Sequence, residues 1–503
     1  MLRTPLMTAA TVVSTLTAVA LLPSPAFAAP ATRTVTITSF DGVGIITHFF
    51  RPAGLGKNER RPVVLLGHGW GGRGDTDRKS GMLADLLNAG YNVVTWNARG
   101  FGSGGTVNID DPRFEGRDVR KIIDWTAKQR EVKLDRKGDP RLGMAGGSYA
   151  GAIQLVVAGL DRRVDVITPA VTFNSLVGSL YPDRIYRSAW GLSLCIGGSL
   201  NGNKLAPIVQ QACVAGLASG NLPAATERWF REHGPDYLVK RIRIPTLVIQ
   251  ATSDTLFTLR QGIATYRTVK ANGAPVKMIW TCEGHGICNG EKGPADHSSR
   301  ATVKWLDRYL KKNPKVVTGP GFEYLDQYGV YRTAPSYPPR SKGKTRAHGK
   351  GRLAFSRADI LPYLDGRNTT KVEGLPFPDY MLAAKPAKKA VNIPIRTRPG
   401  SRTAGVPTLT LHYKGVAQKP RTALFAQIVD RSTGHVVGNQ ATPLPVVLDG
   451  KPHTLTRGLE ALSYTFTRRT RLELQIIPIT GLFDWQRSAG QVSLTTDITL
   501  PLT

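Results

Sequence analysis

Between Val63 and Leu310 short apolar runs alternate with stretches of helical periodicity, and this restricts the fold more than any other feature of the chain. Val63–Leu66 is continuously apolar, as a strand covered on both faces must be. Met82, Leu83, Leu86 and Leu87 then recur at helical spacing, and Gly90 stands where a helix C-cap would. Tyr91–Trp96, Arg141–Ala145, Val164–Thr168, Thr246–Ala251 and Val276–Thr281 read as further strands. Val119, Ile122 and Ile123 mark one helix face, and Ala150–Leu160, Leu259–Val269 and Thr302–Leu310 read as helices. Repeated strand–helix units predict a parallel sheet with helices on both faces.

Between Pro169 and Pro245 the alternation stops, and no strand is expected there. That stretch reads as a helical insertion over the sheet edge where open α/β sheets bind ligands. Residues 313–400 read as a connecting segment, and Arg340–Arg352 as a solvated basic loop carrying Arg340, Lys342, Lys344, Arg346, Lys350 and Arg352 without an acid. Over residues 401–503 short strands separated by turn residues predict an antiparallel sandwich or jelly roll.

Residues 1–28 read as an export signal. Arg3 is their only charge, Ala9–Leu22 is apolar apart from Ser and Thr, and Ala26-Phe27-Ala28 has the small-x-small form of a cleavage site. The run is too short for a membrane span, so a secreted chain without a transmembrane segment is expected after cleavage. An apolar content of 41% with 20% charged residues fits a folded protein and excludes disorder, collagen and coiled coil. The 67 Lys and Arg against 36 Asp and Glu, net +31, favour anionic surroundings such as cell-wall polymer and single out no specific nucleic acid.

Gly146-Gly147-Ser148-Tyr149-Ala150-Gly151 lies between a strand and a helix. A sharp strand–turn–helix exposes a serine as a nucleophile and needs small neighbours, here Gly146 and Ala150. Asp254 follows the strand Thr246–Ala251, and His285 follows Val276–Thr281. All three fall in loops after strands, in the order Ser, Asp, His, so His285 can take the Ser148 proton while Asp254 orients the imidazole. His297, closer to the final helix, is the alternative base. For the developing oxyanion the candidates are the Tyr149 N–H and a second N–H near Trp70, in His68-Gly69-Trp70-Gly71. Gly67-x-Gly69-x-x-Gly72 and Gly100-x-Gly102-x-x-Gly105 imitate a dinucleotide motif, but Asn97 stands where the first would need an acid, and no cofactor is expected.

Cys195, Cys213, Cys282 and Cys288 suggest two disulfides in an exported chain, pairing sequence neighbours as Cys195–Cys213 and Cys282–Cys288 in one of three connectivities. The competing idea is a metal held through His285 between Cys282 and Cys288, for which a second Cys-x-x-Cys pair is missing.

These motifs, with Asn97-Ala98-Arg99-Gly100-Phe101-Gly102, Asp254-Thr255-Leu256-Phe257, Gly284-His285-Gly286 and Trp305-Leu306-Asp307-Arg308-Tyr309-Leu310, resemble the α/β-hydrolase family of Xaa-Pro dipeptidyl-peptidases and cocaine-esterase-like acylases. The resemblance implies an α/β-hydrolase catalytic domain over residues 29–312 with a cap at 169–245, a C-terminal jelly roll, and Ser148, Asp254 and His285 as the triad. It departs after the first core strand, where relatives often carry an oxyanion tyrosine and this chain has His68-Gly69-Trp70. A dipeptidyl-peptidase needs acids for the substrate amine. The insertion offers Asp183, Glu227, Glu232 and Asp236, interleaved with Arg184, Arg187, Arg228 and Arg231. The expectation is a secreted serine hydrolase acting on a small ester, amide or peptide. The alternatives are an Xaa-Pro dipeptidyl-peptidase, and a non-enzymatic basic protein that binds anionic cell-surface polymer.

Overall fold

The computed structural model describes residues 32–56, 58–363, 369–372, 375–484 and 486–503, so the export signal read in residues 1–28 lies outside the described residues. A ten-stranded sheet runs in the order Thr32–Thr38, Gly44–Phe50, Asn92–Trp96, Val63–Leu66, Leu142–Gly147, Val164–Ala170, Thr246–Ala251, Val276–Thr281, Phe322–Leu325, Tyr331–Ala334. Pairing is parallel from Asn92–Trp96 through Phe322–Leu325, with an antiparallel strand or hairpin at each edge.

The continuous apolar run Val63–Leu66 shows why the sheet must be covered twice. Val63 and Leu65 join a core with Ile122, Ile123, Ile153 and Val156, from the helices Glu115–Thr126 and Tyr149–Leu160. Val64 and Leu66 face the opposite way, onto Leu83 and Leu86 of Gly81–Asn88 and onto Trp305 and Leu306 of His297–Tyr309. Alternate side chains of one strand feed two cores, as the period of 2 requires. Pro169–Pro245 holds the helices Leu176–Leu180, Ser188–Ser199, Pro207–Ser219, Ala224–Glu232 and Asp236–Val239, which form a cap. Disulfides join Cys195 to Cys213 within the cap, and Cys282 to Cys288 around His285. The competing metal reading thereby loses both sulfurs.

The second sheet is seven-stranded, antiparallel and organised around the 23-residue strand Thr408–Asp430, which pairs with Thr442–Gly458, Leu472–Ile477 and Gly490–Pro501. The chain is thus an α/β-hydrolase sheet with a helical cap, followed by an antiparallel β domain.

Three stretches differ from the sequence reading. The supposed basic loop is largely the strand Lys344–Phe355, paired along its length with Gly490–Pro501. Its Lys344, Arg346, Lys350 and Arg352 are exposed on one face. The other face carries Thr345, Ala347, Gly349 and Gly351 before it reaches buried Leu353 and Phe355, and a Cβ on Gly349 or Gly351 would lie 2.7 Å from Ile393 or 2.6 Å from Val391. Small inward residues erased the apolar half of the alternation. The N-terminal hairpin Thr32–Phe50 is a further difference; its first strand alternates exposed Thr with half-buried Arg33 and Val35 and buried Ile37. Finally, Phe322–Leu325 and Tyr331–Ala334 extend the first sheet within residues 313–400.

Candidate active site

Ser148 leaves Leu142–Gly147, Asp254 follows Thr246–Ala251 and His285 follows Val276–Thr281. These strands belong to one parallel sheet, so all three residues emerge at the same edge. Ser148 sits at φ 58°, ψ −124°, a left-handed conformation that costs a non-glycine residue energy and marks functional turns. Gly146, at φ 127°, makes the turn possible: a Cβ there would lie 2.7 Å from the Ala150 Cβ. His285 Nε2 lies 2.7 Å from Ser148 Oγ, and His285 Nδ1 lies 2.8 Å from Asp254 Oδ2. The other Asp254 oxygen accepts the Leu256 and Phe257 N–H groups at 3.0 and 2.7 Å, which fixes the carboxylate plane. All three residues are buried, Asp254 completely.

Bracing comes from three parts of the chain. Trp190 of the cap stands edge-on to the His285 ring at 5.9 Å, and Phe257 does the same at 5.0 Å. Thr255 Oγ1 accepts from Trp190 Nε1 at 3.0 Å and lies 3.0 Å from the carbonyls of both His285 and Leu382. Arg187 of the cap donates to the Thr255 carbonyl, and burial lowers its pKa to about 10, still cationic at neutral pH. Gln440 of the β domain donates to the Asp254 carbonyl at 2.6 Å. None of these braces was read from the sequence. Thr255 lies within a quoted motif, whereas Gln440 is 186 residues from its partner and carries no local signal.

His68 is not a competing base. Burial lowers its pKa to about 4, so it stays neutral, with Nε2 accepting the Ala98 N–H at 3.0 Å and Nδ1 lying 2.7 Å from the Gly69 carbonyl. Trp70 donates its indole N–H to the Leu194 carbonyl at 2.9 Å and packs edge-on against Tyr149. Tyr149 is the first residue of its helix, a position whose N–H has no partner inside the helix. Behind Tyr149 lie the buried carboxyls of Asp110 and Glu115. Burial raises Asp110 well above the usual carboxylate range and pushes Glu115 up to about 8. Glu115 accepts the N–H groups of Asn108 and Asp111, holding a loop in which Ile109 and Asp110 are both left-handed.

The model of a family described as X-Pro dipeptidyl-peptidase (S15 family) matches residues 41–298, just over half of the chain. The chain belongs to the S15 family. It is 24% identical over 281 residues to dipeptidyl aminopeptidase BIII of Pseudoxanthomonas mexicana, a match covering 52% of this chain and 36% of that relative's length. Its fold matches a CocE/NonD family hydrolase of Staphylococcus aureus with a TM-score of 0.67, at 14% identity and 94% coverage of both chains. It also matches an alpha-amino acid ester hydrolase with a TM-score of 0.70, at 16% identity, covering 96% of this chain and 98% of that one.

Two cavities meet at Ser148 in this S15 family member. An inner one of about 60 Å³ is lined by apolar and aromatic side chains such as Ile109, Phe173, Leu180, Val209 and Phe230, with the Cys195–Cys213 bridge in its wall. An outer one of about 360 Å³ is lined by His285, Trp190, Ser193, Asn201 and Arg73. The acids of the cap reach neither. Glu227 pairs with Arg184 and Arg231, and Asp183 with Arg457. His297 is held elsewhere, 2.9 Å from Glu323 and stacked on Tyr331, outside the lining of both cavities.

Proposed function

We propose that this hydrolase is an exported serine enzyme that cleaves an ester or amide bond through an acyl-enzyme on Ser148. The observation that carries the reading is the continuous chain Ser148 Oγ–His285 Nε2–Asp254, at 2.7 and 2.8 Å. Ser148 Oγ attacks the carbonyl carbon while His285 Nε2 takes its proton. Asp254 accepts from Nδ1–H, fixes the tautomer that leaves Nε2 free as a base, and stabilises the imidazolium. The backbone N–H groups of Tyr149 and Trp70 receive the charge on the carbonyl oxygen. The imidazolium then gives its proton to the leaving oxygen or nitrogen as the bond to carbon breaks. A water deprotonated by His285 releases the acid and restores Ser148. The two disulfides and the export signal agree with an oxidising compartment.

Ser148→Ala is expected to lose at least about 10³-fold in turnover, and a fluorophosphonate should label the wild type alone. Equal labelling of both proteins would remove Ser148 from the mechanism. The family and the P. mexicana relative favour a second reading, an Xaa-Pro dipeptidyl-peptidase. Against it stands the lack, among the described residues, of any carboxylate lining the two cavities to hold a free amine. Turnover of Ala-Pro-nitroanilide exceeding that of nitrophenyl acetate would decide for the peptidase.

A further inference from the structure

The two cavities at Ser148 differ in size and polarity, and His285 lines only the outer one. The imidazolium must reach the departing atom to protonate it. The leaving group therefore occupies the outer cavity and the acyl group the inner one. From this assignment, which rests on the serine-hydrolase reading above, we infer that the preferred substrate joins an uncharged acyl group of about three or four carbons to a leaving group that carries a negative charge.

The acyl half follows from volume and lining. A cavity of about 150 Å³ holds one benzene. The inner cavity, at about 60 Å³, is less than half of that. It has room for about two or three carbons beyond the carbonyl held at Ser148. Its walls are the cap helices Ser188–Ser199 and Pro207–Ser219, tied by Cys195–Cys213, against the sheet edge, so widening it means separating a cross-linked pair. No ionised group faces it among the described residues, and a charged acyl group would enter without a partner.

The leaving-group half follows from Arg73, the one charged side chain lining the outer cavity among the described residues. It is half-buried. Its guanidinium bonds only carbonyl oxygens, those of Gly72 at 2.9 Å, Asn201 at 3.3 Å and Gly71 at 3.4 Å. A guanidinium has five donors in a fork suited to carboxylate or phosphate, and here no carboxylate among the described residues takes them. Gly102 keeps the place open, since a Cβ there would overlap the guanidinium. The cation is thus held beside the path of the leaving group, with its anion to be supplied by the substrate.

Two measurements on the full chain test this. Across nitrophenyl acetate, butyrate, octanoate and benzoate, kcat/KM is expected to peak at butyrate and to fall at least tenfold at octanoate and benzoate. A rate for octanoate or benzoate equal to that for butyrate would overturn the acyl assignment. The second measurement compares 4-butyryloxybenzoate with its methyl ester. In Arg73→Gln the ratio of their kcat/KM values should fall about tenfold, the size of a charge-assisted hydrogen bond. In the wild type the same ratio should shrink as salt rises. A ratio indifferent to both salt and the substitution would overturn the leaving-group assignment. Fluorophosphonate labelling keeps the two levels apart: a labelled enzyme with the wrong ester profile sinks this inference alone, whereas an unlabelled, inactive one sinks the serine reading beneath it.

Discussion

Gly284 offers the most direct test of how tightly the site is built. A Cβ at this position would lie 2.7 Å from Asp254 Oδ2, the oxygen that faces His285 Nδ1. On its other side it would meet the Ala251 Cβ, also at 2.7 Å. Ordinary contact begins near 3.4 Å, so Gly284→Ala must push the carboxylate and its strand apart by about half an ångström or more. Asp254 has nowhere to retreat. Oδ1 is held by the N–H groups of Leu256 and Phe257, and its carbonyl by Gln440. A 1 Å misplacement costs about a hundredfold in rate, so about half of that costs about tenfold. The overpacking should also lower stability by about 1–3 kcal/mol. Because the His285–Ser148 contact would loosen together with its anchor, the loss should fall on kcat, with KM for a nitrophenyl ester little altered. Gly56→Ala is the matched control, since its Cβ would meet Glu59 at 3.8 Å and no closer atom. A folded Gly284→Ala protein with kcat within twofold of wild type would refute the claim that the Asp254 position is sterically fixed.

Cys282→Ser/Cys288→Ser should lower turnover several-fold while the fold persists. The chain-entropy model gives this small ring about 2.4 kcal/mol, a few degrees in Tm at most, and the larger effect is on the glycine-flanked His285 loop. Full turnover after the bridge is removed would refute that. Glu115, pushed up to about 8, keeps its proton where the unfolded chain has lost it, so the folded state binds more protons and stability falls as pH rises from about 4.5 to about 8. In Glu115→Gln the decline in Tm between pH 5 and 8 should flatten, even though one amide oxygen serves two N–H groups less well; an unchanged slope would show that Glu115 is not its source.

The parts of this molecule legible in the sequence are those whose physics is local. Val63–Leu66 announces a doubly covered strand because four neighbours share one requirement. The meeting of Ser148, Asp254 and His285 at one sheet edge is legible because a turn between strand and helix and two loops after strands need little beyond their own residues. Lys344–Phe355 was not legible, since its inward face is kept small by Ile393 and Val391 from a strand read as part of a connection. The inner cavity was not legible either. Its walls gather Ile109, Phe173, Val209 and Phe230 from segments that meet only after the cap has docked. Arg73 looks like any surface arginine in a glycine-rich turn until Gly102 and the carbonyl of Asn201 are brought beside it.

The hydrogen bond from Gln440 to the Asp254 carbonyl also sets a timetable. A chain is synthesised from its N-terminus, so Ser148, Asp254 and His285 are all present long before Gln440 emerges. Until the strand Thr408–Asp430 has found its partners and carried the following turn to the sheet edge, the Asp254 loop lacks its brace, and the Leu382 carbonyl has yet to reach Thr255. On the proposed mechanism, hydrolytic competence is therefore a late event in the life of each molecule. A nascent or clipped chain that already contains every reacting group would remain a poor catalyst, and the β domain, which contributes no reacting atom, acts as the signature of completion.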